Sequence, residues 1–154
     1  MQIGQVAPHI SLYNTDRKKI DFMNLTGKKK VLVFFPAAFT SVCTAEMCTV
    51  RDNMASFNSL GALVFGISTD SPFTLKKFKE DQHLSFDLLS DYNKEVCRAY
   101  GIYREEFVLD MKGVAERAVF IIGSDGTIKY REVLENPGNM PDIAAAKRAL
   151  ETIL

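Results

Sequence analysis

Cys43 stands where a thiol becomes reactive. The run Val31-Leu32-Val33-Phe34-Phe35 before it is five consecutive apolar residues, the pattern of a strand buried on both faces. Pro36 ends that strand, because proline has no N–H for the sheet ladder. Met47, Val50, Met54 and Phe57 then recur at helical spacing, which predicts one helix from about residue 41 to residue 57. Thr40 is a good N-cap, and its hydroxyl is expected to accept from the backbone N–H groups near Val42 and Cys43. Cys43 thus falls in the first turn of a helix, just beyond the carboxyl end of a strand. Unpaired N–H groups and the helix dipole favour an anion there, and hence the thiolate, the nucleophilic form of cysteine. Intrinsic nucleophilicity falls as basicity falls, so the thiolate needs other groups to stabilise charge on the leaving atom.

The elements that must hold this thiol read as an α/β chain. Residues 1–9 are extended, since Pro8 forbids an early helix. Ile10 to Tyr13 and Lys19 to Phe22 form a short hairpin around Asn14-Thr15-Asp16-Arg17. After the Cys43 helix, Gly61 marks a stop and Ala62 to Ser68 forms a second buried strand. Ser71-Pro72 starts a helix that runs to about Gln82, with serine as cap and proline at the first helical position. Phe86 to Leu89 is a strand, and Asn93 to Tyr100 a short helix closed by Gly101. Residues 102–116 are irregular. Arg117 to Ile122 is a strand, turning at Asp125-Gly126 into Thr127 to Val133. Met140 to Leu154 is a final helix. Strand and helix alternation implies parallel crossovers, and a parallel βαβ half followed by a hairpin and a helix is the order of a thioredoxin-like fold. The expectation is a single domain over residues 1–154, with a mixed central sheet flanked by helices.

Composition removes several function classes. The 154 residues carry 19 basic and 19 acidic side chains, and a zero balance argues against nucleic acid as the main partner. Lys28-Lys29-Lys30 reads as a solvated turn before a strand. No run of 18 apolar residues exists, and the first residues lack a charged-then-apolar signal pattern, so neither a membrane nor export is expected and the cytoplasm is the default. Three cysteines make no structural disulfide framework, and in a reducing compartment a disulfide is transient and catalytic. His9 and His83 are far apart and the cysteine spacing is wrong for a zinc knuckle, so no metal is expected. There is no Cys-x-x-Cys of disulfide oxidoreductase type and no glycine-rich phosphate loop, so no cofactor is expected either.

Phe34-Phe35-Pro36-x-x-x-Thr40-x-x-Cys43 resembles the Pro-x-x-x-Thr-x-x-Cys signature of the peroxiredoxins, thiol peroxidases that reduce hydroperoxides, and the likeness runs over the chain in order and length. The resemblance implies that Cys43 attacks the terminal peroxide oxygen and becomes a sulfenic acid. It implies that Thr40 holds the peroxide and Pro36 shields the site from water. Arg117 opens a strand before Ala118-Val119-Phe120-Ile121-Ile122 and an Asp-Gly turn, which matches the family's substrate-polarising arginine. On residue type alone, Arg117 is a solvated strand end. Glu46 matches a glutamate that orients this arginine; the other reading is an exposed first-turn glutamate favoured by the helix dipole.

Cys48 resembles the resolving cysteine of the Q, or bacterioferritin-comigratory, subfamily. Residues five apart in an intact helix lie about 8.7 Å apart at Cα, whereas a disulfide rarely tolerates more than about 7 Å. Cys43 and Cys48 could therefore join only if the first helical turns unwind. The alternatives are that Cys48 is a spare residue on the helix flank, that an external thiol resolves Cys43, or that Cys97 does, although core packing is the plainer role for Cys97. The implied partners are a peroxide and a thioredoxin-like dithiol reductant, with the protein a monomer or a homodimer; Phe39, Tyr100 and Tyr103 are its candidate interface residues. A competing reading is a thioredoxin-fold binding or chaperone module without catalysis.

Overall fold

In the computed structural model, which describes residues 1–153, the chain opens with a hairpin of β1 (Ser11–Asn14) and β2 (Lys19–Asp21) and reaches the sheet centre at β3 (Lys29–Phe34). Helices α1 (Ser41–Asp52) and α2 (Met54–Ser59) lead to β4 (Ala62–Ser68), and α3 (Pro72–Gln82) leads to β5 (Asp87–Ser90). The short α4 (Glu95–Ala99) precedes β6 (Tyr103–Arg104) and β7 (Val114–Ala115), and β8 (Arg117–Ile122), β9 (Ile128–Leu134) and α5 (Ile143–Glu151) follow. The main sheet has the order β2-β1-β5-β4-β3-β8-β9. β3, β4 and β5 are parallel, and the remaining pairings are antiparallel. This is the mixed, helix-flanked sheet of a thioredoxin-like fold.

Period-two alternation sends neighbouring residues of β3 into two cores. Val31, Val33 and Phe35 pack with Cys43, Met47, Val50, Phe57, Leu75, Phe78 and Leu150, so α1, α2, α3 and α5 share one face. Leu32 and Phe34 point the other way, towards Ile10, Phe22, Val96, Cys97 and Tyr100. Each large apolar side chain so buried contributes about 1.5–3 kcal/mol before entropy is counted.

Four expectations change. The predicted single helix breaks at Asn53, which has φ −106° and ψ 6°. Its amide donates to Thr49 O at 2.7 Å and accepts from Lys147 Nζ at 3.0 Å, so the side chain competes with the helical ladder. Residues 102–116 are not wholly irregular: β6 and β7 pair as a small ribbon around a 3-10 turn at Val108–Asp110. Two-residue strands are too short to leave a periodic signal. The last helix begins at Ile143 rather than Met140, because Asp142 caps it by accepting from Ala145 N and Pro141 disfavours helix before itself. Its expected end at Leu154 lies outside the described residues. Tyr100 is no surface residue: it is 1% exposed, packs against Phe34 and Phe120, and donates its hydroxyl to Pro8 O at 2.8 Å. Tyr103 is half-buried beneath Arg98, and Phe39 is exposed.

α1 rests on β4 where a side chain is missing. A Cβ on Gly66 would lie 2.6 Å from Leu88 Cδ2 and 3.3 Å from Met47 Sδ. Gly66→Ala is therefore expected to lose on the order of 1–3 kcal/mol through overpacking, read as a lower urea midpoint at unchanged slope. An unchanged midpoint would show that Leu88 and Met47 have room to move.

Candidate active site

Strand register brings Arg117 to Cys43. β8 runs antiparallel to β3 with Ala118 opposite Phe34, so the start of β8 lies beside the carboxyl end of β3, where the loop to α1 begins. Alternation along β8 places Val119 and Ile121 in the helix-covered core with Cys43, and Arg117, two residues before Val119, points to the same face. Its side chain is 2% exposed. The reading of Arg117 as a solvated strand end is thus overturned by burial.

Arg117 Nη1 donates to Cys43 Sγ at 3.2 Å, and the same nitrogen donates to Glu46 Oε1. Nη2 donates to Pro137 O at 2.9 Å. Cys43 and Glu46 are fully buried in the first two turns of α1, so the reading of Glu46 as an exposed helix-start residue does not hold. One buried guanidinium here faces two acids. Burial raises the Glu46 carboxyl to about 8, against the pull of Arg117. Burial also opposes the charge of Arg117, but Glu46 and Cys43 together raise it.

Thr40 occupies the N-cap position with φ −81° and ψ 154°, yet its hydroxyl makes no cap bond. It donates instead to Ala37 O at 2.9 Å, closing the 37–40 turn. The carbonyl of Thr40 accepts from Thr44 N and from Thr44 Oγ1. The expected side-chain cap is therefore absent, and the lone pairs of the Thr40 hydroxyl stay free of helix N–H groups. Pro36 is buried at the foot of this loop. A pocket of about 200 Å³ opens between Thr40, Val42, Phe107, Val108, Arg117 and Pro137. A larger one, about 560 Å³ between Tyr13, Phe73 and Tyr92, has neither Arg117 nor Thr40 in its lining and lies apart from this chemistry.

The other two thiols are separated from this site in different ways. Cys48 is half-buried on α1 and donates to Gln82 Oε1 of α3 at 3.4 Å. Cys97 lies in the core on the opposite face of the sheet. Burial and Asp91 push its thiol up to about 12. Phe107, Val108 and Pro137 were not legible as site residues, since loops carry no periodicity. Asp70 was missed too: its carboxylate accepts from Ala38 N at 2.8 Å, inside the 36–40 loop. An acidic residue at the carboxyl end of a buried strand was the available signal. Among the described residues no cluster of metal-ligating side chains occurs, and no helix is long and apolar enough to cross a membrane.

A lone thiol pressed against a guanidinium, with a small pocket reaching the same arginine, suits attack on a polar bond whose leaving atom gains charge. On a thioredoxin-like sheet without a Cys-x-x-Cys, that defines the class of thiol peroxidases. The chain belongs to the AhpC/TSA family, the peroxiredoxins, which matches residues 3–131. It is 35% identical over 131 residues to peroxiredoxin Bcp of Escherichia coli K12, covering 84% of each chain. The crystal structure of peroxidoxin BcpB from Mycobacterium tuberculosis is similar with a TM-score of 0.83 at 29% identity, over 97% of this chain and 94% of that one. The bacterioferritin comigratory protein of Xanthomonas campestris shares the fold, with a TM-score of 0.80 at 23% identity over 92% and 90% of the two chains. The protein is thus a thiol-dependent peroxidase, and its family acts on peroxides with thioredoxin-type reductants.

The buried carboxyl gives a pH dependence of defined sign. Glu46 holds its proton up to about pH 8 in the folded protein, whereas an unfolded glutamate releases it near pH 4.3. The folded state binds the extra proton between these values, so this contribution to stability is complete below the lower value and declines as pH rises through the window. The slope is at most about 1.4 kcal/mol per pH unit. Urea unfolding at several pH values should show this decline and its loss in Glu46→Gln; equal slopes in both proteins would contradict it.

Proposed function

We propose that Cys43 is the peroxide-reducing thiol and Cys48 the thiol that resolves it. The observation that carries this reading is Cys43 Sγ at 3.2 Å from Arg117 Nη1 in the first turn of α1. The Cys43 thiolate attacks the terminal oxygen of ROOH. A sulfur–oxygen bond forms, the oxygen–oxygen bond breaks, and the leaving alkoxide takes up a proton as ROH. Sulfur is oxidised by two electrons. The forked donors of Arg117 stabilise charge first on sulfur and then on the leaving oxygen. Thr40, whose own proton is committed to Ala37 O, offers lone pairs to the peroxide O–H. Pro36 screens the thiolate from water, and Glu46 fixes the guanidinium. Val42, Phe107, Val108 and Pro137 give the pocket an apolar side that accommodates the R group of an organic hydroperoxide. The alkyl peroxide reduction activity named for the Xanthomonas campestris protein accords with that lining.

Cys48 then attacks the Cys43 sulfenic acid, forming a disulfide and releasing water, and a thioredoxin-like dithiol returns both electrons. Cys97 is the weaker candidate for this step, because it lies across the sheet and its thiol is held protonated. The enzyme works as one cytoplasmic domain.

Two experiments test these assignments. Cys43→Ser is expected to abolish peroxide consumption and Cys97→Ser to leave most of it; turnover by the Cys43 variant would sink the nucleophile assignment. The resolving step demands motion, since α1 is continuous over Ser41–Asp52 in the reduced protein and its geometry forbids the bond. Hydrogen exchange of the oxidised protein should show residues 41–50 losing protection relative to the reduced form. Equal protection, with a Cys43–Cys48 bond confirmed by peptide mapping, would refute unwinding. A bond to Cys97 would refute the choice of Cys48.

A further inference from the structure

The loop between Pro36 and Thr40 does not hold itself. Phe39 has φ 69°, a left-handed conformation that costs a non-glycine residue energy and persists only where surroundings impose it. Two constraints flank it within the loop: the Thr40 hydroxyl on Ala37 O, and the Ala38 N–H, which is taken by Asp70 Oδ2 at 2.8 Å. The Phe39 ring adds an edge contact with Phe78 of α3, centroids 5.2 Å apart. Of these partners, Asp70 alone links the loop backbone to the end of a sheet strand.

Asp70 is itself fixed on three sides. Ser68 Oγ donates to the same Oδ2 at 2.7 Å and accepts from Asp70 N at 3.1 Å. Ser90 Oγ, at the end of β5, donates to Asp70 O at 2.6 Å. Ser68 and Ser90 are buried and are register partners at the carboxyl ends of adjacent parallel strands. A rigid corner of the sheet therefore aims one carboxylate oxygen at the backbone that leads into the Cys43 helix.

We infer that Asp70 is a positioning residue, a latch that holds the 36–40 loop and, through it, the wound first turns of α1. This rests on the unwinding proposed above for α1, but its test does not depend on which thiol resolves Cys43. The latch keeps Cys43 against Arg117 during peroxide attack and must be overcome when the turns open. A hydrogen bond with one ionised partner is strong enough to move a two-state equilibrium by about tenfold.

The test is hydrogen exchange on the reduced protein, supported by the rate of disulfide formation after one equivalent of peroxide. Asp70→Ala should raise exchange of residues 38–50 by about tenfold, with the amides of β3 and β8 unchanged, and should speed disulfide formation by a similar factor. Asp70→Asn keeps an acceptor oxygen towards Ala38 and Ser68, so it should recover most of the wild-type protection. If Asp70→Ala fails to fold, Ser68→Ala, which frees only one constraint on the carboxylate, should show a smaller change of the same sign. Unchanged exchange at 38–50, a uniform rise across the sheet, or an Asn variant as open as the Ala variant would each overturn the latch. Turnover by Cys43→Ser would instead overturn the catalytic reading and leave the exchange result standing.

Discussion

A guanidinium buried to 2% exposure must be matched by negative or polar partners, because an unpaired charge in a low-dielectric interior costs several kcal/mol. Arg117 meets that demand with Cys43, Glu46 and the Pro137 carbonyl. The requirement reaches through the fold. The antiparallel register of β8 against β3 sets the height of Arg117, α1 must present Cys43 and Glu46 three residues apart on one face, and the 136–139 loop must fold back to offer its carbonyl. Among the described residues Arg117 Nε and Glu46 Oε2 have no partner, so the pair is held short of full satisfaction.

The sheet also sorts the thiols. β3 ends by sending Phe34 towards Cys97, whereas the next residue, Phe35, packs towards Cys43, and the chemistry divides along that line. On one side a thiol faces a cation. On the other, a thiol sits among aromatic rings beside Asp91, whose carboxylate accepts from Val96 N and Cys97 N. Thiol reactivity follows from electrostatic surroundings rather than residue type, and burial alone would not separate the two.

The helix start at Cys43, the strand before it and the Ser71-Pro72 helix were legible because each rests on local chemistry: an apolar run, a proline, a cap. Ala62–Ser68 and Arg117–Ile122 were read with their observed bounds, since buried strands announce themselves as apolar runs. The break at Asn53 was not legible, because it depends on Lys147 from a distant helix. The Thr40 hydroxyl was misread for a similar reason, as local preference for capping lost to the turn at Ala37. Glu46 illustrates the boundary best. Its place in the first turn was plain, but whether it met solvent or Arg117 turned on strand register 71 residues away, which no local pattern encodes.

The interruption at Asn53 has a bearing on how fast the enzyme can reset. α2 starts its own ladder from Asn53 O, with Ser56 N and Phe57 N as donors, and Phe57 is anchored in the core. Winding lost from α1 therefore has no continuous ladder along which to spread into α2. On the unwinding proposed for residues 41–50, only Arg51 and Asp52 of α1 keep their place, too few for a hydrogen-bonded turn, so the helix is nucleated afresh after reduction. Helix–coil relaxation of a segment this short nevertheless takes only about 0.1–1 μs. On the proposed cycle, rewinding on that scale is far quicker than a typical enzymatic turnover of about 1–10³ s⁻¹.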